Sequence, residues 1–133
     1  MMAPSHVQAE HRKIRLKVGD AMITAKLKEG PAARDFLSML PLTLTLTLTM
    51  NDLYGREKFA SLPRPISTDG KHTHTYAVGD IAYWPPGPDI AIYYHYDGEI
   101  IPDPGVILIG KCGTGVEALR VPGSLKVIIE LMN

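Results

Sequence analysis

Polar and apolar residues alternate one by one through Ile14-Arg15-Leu16-Lys17-Val18, the pattern of a strand with one dry and one wet face. Gly19-Asp20 follows and reads as a two-residue hairpin turn with glycine first. Such a turn fixes the register. It sets Val18 against Ala21, Leu16 against Ile23 and Ile14 against Ala25, six apolar residues on one face. Lys17, Arg15 and Lys13 then meet Met22, Thr24 and Lys26 on the wet side.

The period changes after Gly30-Pro31. Proline suits the first position of a helix, where its missing N–H has no partner to lose. Ala33, Phe36, Leu37 and Leu40 recur at helical spacing, and Pro41 stops the run, so a helix of about ten residues is expected. From Leu42 to Met50 strict alternation returns, with Leu42, Leu44, Leu46, Leu48 and Met50 on one side and four threonines on the other. That is a strand, and exposed along an edge it would invite aggregation, so it should be covered.

Asn51 to Arg56 reads as a turn and Glu57 to Leu62 as a short strand. Pro63 to Lys71 is a loop, Asp80 to Trp84 a strand, and Pro85 to Asp89 a hard turn. Ile90 to Tyr96, Val106 to Lys111 and Leu125 to Met132 complete the strands, and Val116 to Leu119 makes one helical turn. The fold class is mainly β. About eight short strands punctuated by Gly and Pro argue for a closed barrel with one short helix, because a small chain cannot shield many open edges.

Composition narrows this picture. The 133 residues suit one domain, with residues 1–12 a flexible tail and 13–133 the barrel. Fourteen basic residues balance fourteen acidic ones, which argues against nucleic acid and against an anionic membrane as partners. A single cysteine, Cys112, excludes an internal disulfide, and no signal peptide or apolar span is present, so a cytoplasmic location is expected.

Several segments in order carry a resemblance. Leu40-Pro41-Leu42-Thr43-Leu44-Thr45 leads to Tyr54-Gly55-Arg56-Glu57-Lys58 and Leu62-Pro63-Arg64. Val78-Gly79-Asp80-Ile81-Ala82-Tyr83-Trp84, Ile90-Ala91-Ile92-Tyr93-Tyr94 and Leu108-Ile109-Gly110-Lys111 follow. Together they resemble the bacterial cyclophilin-like domain family, over nearly the whole ordered chain. The resemblance implies a closed eight-stranded barrel with a small helix. It implies no activity. Cyclophilin isomerases carry Phe–His–Arg and Gln–Gly–Gly–Asp segments, and neither occurs here. Related barrels also serve in carboxyltransferase- and 5-oxoprolinase-type subunits.

Candidate chemistry is sparse. Gly105 to Cys112 has phosphate-loop spacing, but the intervening Val-Ile-Leu-Ile belongs in a strand and Cys112 stands where Ser or Thr is needed. His72 and His74 on one face of a strand would share a metal, with His95 as a third ligand. Their polar surroundings instead suggest solvated side chains, and neither metal nor cofactor is expected. Cys112 lacks an identifiable base and reads as an inert thiol.

The residues that stand out as ligand-binding are Glu57, Arg64, Trp84, Tyr83 and Tyr93. Pro63 and Pro65 restrict the backbone around Arg64, which would hold its guanidinium in place. Trp84 ends a strand at a proline turn, where an aromatic ring suits a pocket mouth. Tyr83 and Trp84 point to opposite faces, so only one lies inside. A structural Glu57–Arg64 salt bridge and ordinary sheet packing of the tyrosines are the competing explanations. The expected function is a binding module that takes a small molecule or extended peptide in a surface groove, with a homodimer as a further expectation. The rivals are a prolyl isomerase using Arg64 and a subunit of a carboxyltransferase-like assembly.

Overall fold

A computed structural model describes residues 13–46, 56–120 and 124–132. Strands β1 (Lys13–Val18) and β2 (Ala21–Leu27) form the expected hairpin, pairing Val18 with Ala21, Leu16 with Ile23 and Ile14 with Ala25. Gly19 at φ +59° supplies the left-handed residue the turn needs. Ile14, Leu16 and Ile23 are fully buried. Ala21 departs from the expectation: at the turn end of the hairpin it is exposed.

Helix α1 (Pro31–Leu37) starts at the Gly30-Pro31 step and buries Ala32, Ala33 and Phe36. It is shorter than its apolar stripe suggests. Leu37, Met39 and Leu40 still pack on the core, so the stripe runs on past the helix into a tight bend.

The other strands are β3 (Leu42–Leu46), β4 (Glu57–Ser61), β5 (Asp80–Trp84), β6 (Asp89–Tyr93), β7 (Ile107–Cys112) and β8 (Leu125–Leu131). A 3₁₀ turn, Val116–Leu119, lies between β7 and β8. Thr47 to Met50, the expected turn over Asn51 to Gly55, the N-terminal tail and the facing of the Leu/Thr side chains lie outside the description. All the ladders are antiparallel, in the order β3-β8-β1-β2-β7-β5-β6-β4.

The sheet is an open half-barrel, which corrects the expected closed barrel. Among the described residues no ladder joins β3 to β4, the two ends of the order. β3 and β4 are therefore the two edges of the described sheet, which places the Leu42–Leu46 strand, expected to be covered, at an edge.

The sheet curls around one principal core. Ile81, Tyr83, Ile90, Ile92, Ile107, Ile109, Val127 and Ile129 meet the hairpin and α1 there. β5 and β6 are buried on their other face too, where Tyr76, Ala82, Tyr93, Ile101 and Val106 form a second, smaller cluster. Two stretches of irregular chain, 72–79 and 94–106, cover that outer face. The candidate site lies beneath them. No helix among the described residues is long and apolar enough to cross a membrane.

Candidate functional site

The cross-strand rungs of β4, β6 and β5 build the site's floor. On the outer face Glu57 sits opposite Tyr93, Phe59 opposite Ala91 and Ser61 opposite Asp89. One strand further, Ala82 sits opposite Ala91 and Trp84 opposite Asp89. The central rung is Phe59, Ala91 and Ala82, and Ala82 is fully buried in the smaller cluster. A cavity of about 170 Å³ lies over Ala91, bounded by Glu57, Phe59, Trp84, Asp89 and Tyr93.

Ile101, Pro102 and Val106 of the loop 94–106 close its remaining side. Backbone bonds tie that loop down. Thr73 and Val106 exchange a reciprocal pair at 2.8 and 2.9 Å, and the Ile101 N–H donates to the His74 carbonyl at 2.9 Å. Gly105 is needed at this junction. Its φ is +80°, and a Cβ there would lie 2.7 Å from the Thr73 carbonyl oxygen.

Charged groups cluster at one end. Arg56 lies at the bend before β4, so its side chain turns beside that of Glu57 instead of diverging from it. Its Nε donates to Glu57 Oε1 at 3.0 Å, and its guanidinium reaches Asp97 Oδ1 at 3.7 Å. The Tyr76 hydroxyl donates to the same Asp97 oxygen at 2.6 Å, and the Asp97 and Glu99 N–H groups complete the knot. Tyr76 stacks on Tyr93 with ring centroids 4.3 Å apart, and Arg56 lies 5.6 Å from the Tyr76 centroid.

Burial sets the direction of the shift at Glu57, Tyr93 and Tyr76. It pushes the Glu57 carboxyl above its usual range, against the opposing pull of Arg56. It raises Tyr93, and it raises Tyr76 despite the bond from Asp97. For Arg56 burial acts downward, but Glu57 and Asp97 outweigh it and the guanidinium stays charged. Burial also acts upward on Asp97, where Tyr76, the Glu99 N–H and Arg56 outweigh it and hold the carboxyl low.

Of the residues singled out from sequence, the structure brings Glu57, Trp84 and Tyr93 to this cavity. Tyr83 faces the other way, 1% exposed in the principal core, where its hydroxyl accepts the Ile66 N–H. Arg64 is exposed beside α1, donating to Ser38 Oγ and the Pro65 carbonyl, and it does not line the cavity. Glu57 takes Arg56 as its ion-pair partner. Tyr94 is buried towards the core and Tyr96 is exposed.

Sequence reasoning missed Arg56, Tyr76 and Asp97. Tyr76 lies in a stretch without strand pattern, and Asp97 is 21 residues away from it. Only the apolar Tyr76 among polar neighbours hinted at burial.

The other motifs dissolve into structure. Gly110 and Lys111 lie within β7, which leaves no phosphate cradle. His72 contacts the Pro104 and Thr68 carbonyls, and His74 contacts the Ile101 carbonyl and Asp103. No three His, Cys, Asp or Glu residues among those described gather as metal ligands. Cys112 is buried, which lifts its thiol to about 12.

The family model described as the cyclophilin-like family matches residues 16–130. No curated protein matches the sequence. The fold is similar to the solution structure of the hypothetical protein AF2241 from Archaeoglobus fulgidus. The TM-score is 0.70 at 20% identity, covering 93% of this chain and 97% of that one.

Proposed function

The chain belongs to the cyclophilin-like family, and from that premise we propose that it is a binding module. It takes a small molecule, or one side chain of an extended peptide, in the cavity over Ala91. The observation that carries this reading is the small side chain of Ala91 beneath a tied-down loop. Its neighbours on the outer face of β6 are Asp89 and Tyr93, and between them the Ala91 methyl stops short and leaves a cavity lined by loop residues Ile101, Pro102 and Val106. Ligand sites favour such concave, mostly apolar places with a few polar groups at the rim. Glu57, Trp84 and Tyr93 are the binding residues this reading assigns.

A small-fragment library screened by protein NMR tests it. Hits should move the Trp84 indole and Ala91 methyl signals together. Hits that move neither would remove the site.

The isomerase reading is the weaker one. It asks for an arginine directed at the bound amide. Arg64 is beside α1, and Arg56 is held between Glu57 and Asp97. Assembly into a larger carboxyltransferase-like complex has no support in the described surface.

A further inference from the structure

The cavity's charge selects a class of ligand. Glu57 and Asp89 both border it, and Arg56 is the one basic residue among the described residues that lines it. That arginine faces two carboxylates, Glu57 at 3.0 Å and Asp97 at 3.7 Å. Counting Glu57, Asp97 and Asp89 against Arg56 leaves the site with more negative than positive charge. The covering loop adds to the imbalance: residues 94–106 include Asp97, Glu99 and Asp103 and no Lys or Arg. This local excess belongs to a chain whose total charge is zero, so it is a feature of this face.

Resting on the reading of the cavity as a binding site, we propose that its ligand is a small organic cation, an ammonium group on a short apolar body. The body would lie over Ala91 against Ile101 and Val106. The ammonium would meet the Glu57 or Asp89 carboxylate. Asp89 is only partly buried, and its Oδ1 accepts a bond from Ser61 Oγ at 3.1 Å, which leaves carboxylate lone pairs for a further donor. Trp84, opposite Asp89 on the next strand, is the aromatic best suited to hold a cation over its face. An acidic rim with apolar walls also concentrates cations before they bind. An anion of the same size would enter against two carboxylates, and the nearby guanidinium is already neutralised. The volume holds about six water-sized groups, which limits the body to a few carbons.

Three probes of one shape separate the outcomes: n-butylammonium, n-butanol and n-butanoate, each titrated to tens of millimolar. Trp84 fluorescence and the Ala91 methyl shift are followed. Butylammonium should saturate both signals at a concentration at least tenfold below the other two. Asp89→Asn and Glu57→Gln should each weaken it several-fold, and Asp89→Asn, at a half-exposed position, keeps the test valid if Glu57→Gln fails to fold. Butanol or butanoate binding as tightly as the amine would overturn the cation inference and leave the binding site standing. Unchanged amine affinity in both variants would overturn it as well. No response to any probe would overturn the inference and the binding-site reading together.

Discussion

Tyr76 and Asp97 are joined twice: the Tyr76 hydroxyl donates to Asp97 Oδ1 at 2.6 Å, and the Asp97 N–H donates back to the same hydroxyl at 3.0 Å. This couple ties the two irregular stretches that cover the outer face, and it orders the end of the cavity where Arg56 and Glu57 meet. Tyr76→Phe keeps the stack on Tyr93 and removes both bonds. The expected loss is about 1–2 kcal/mol, read by chemical denaturation. The same variant releases Asp97, whose carboxyl should rise towards its ordinary value in an NMR titration. In the wild type that carboxyl is held low, so its stabilising contribution is present above the ordinary Asp range and fades as pH falls through its folded value. A Tyr76→Phe protein with unchanged stability and an unchanged Asp97 titration would show the couple to be idle.

Glu57 has the opposite sign. Burial raises its folded value, so its contribution is fullest below the ordinary Glu range and declines as pH rises through the raised value. Arg56 moderates that decline. Arg56→Met keeps volume but strips the buried carboxylate of its counter-ion, and about 3 kcal/mol should be lost at neutral pH. The loss should shrink at a pH where Glu57 is protonated. An equal loss at acid and neutral pH would mean that packing, and not the ion pair, holds this corner.

Two glycines with left-handed backbones should respond differently to alanine. At Gly19 nothing lies within 4 Å of an added Cβ, so only the backbone conformation is penalised, at about 1–2 kcal/mol. At Gly105 the methyl would also meet the Thr73 carbonyl oxygen at 2.7 Å. Gly105→Ala should therefore be the more destabilising. Hydrogen exchange should show the Thr73 and Val106 amides opening first. Equal costs at the two sites would contradict the contact.

Cys112 should be slow to alkylate in the folded protein at pH 8, because burial lifts its thiol to about 12 and little thiolate forms. Reaction with iodoacetamide should accelerate once denaturant unfolds the chain. Fast labelling of the native protein would place the thiol at the surface.

What was legible in the sequence was local. The β1–β2 register followed from a two-residue turn and alternation, and Asp80–Trp84 from its flanking turns. The opposed facing of Tyr83 and Trp84 followed from strand geometry. Closure was not legible, because it depends on whether β3 meets β4, and nothing local in either strand specifies that. The candidate site was legible only in the facing of its strand residues. Glu57, Trp84 and Tyr93 lie on strands whose period gives their facing. Arg64 drew attention through its prolines, whereas the arginine at the site, Arg56, is defined by Asp97, a partner far away in sequence. Ala91 drew none, since a cavity is made by what a small side chain leaves out.

That last point makes Ala91 the sharpest handle on the account. The central claim is that the space above Ala91 receives the ligand. The direct measurement is the affinity of one cavity ligand, butylammonium or the best fragment, for wild type and for Ala91→Leu, with folding confirmed by NMR. The leucine side chain should occupy the cavity and weaken binding at least tenfold, with the Trp84 response lost. Undiminished binding in a folded Ala91→Leu protein would place the ligand elsewhere and contradict the account.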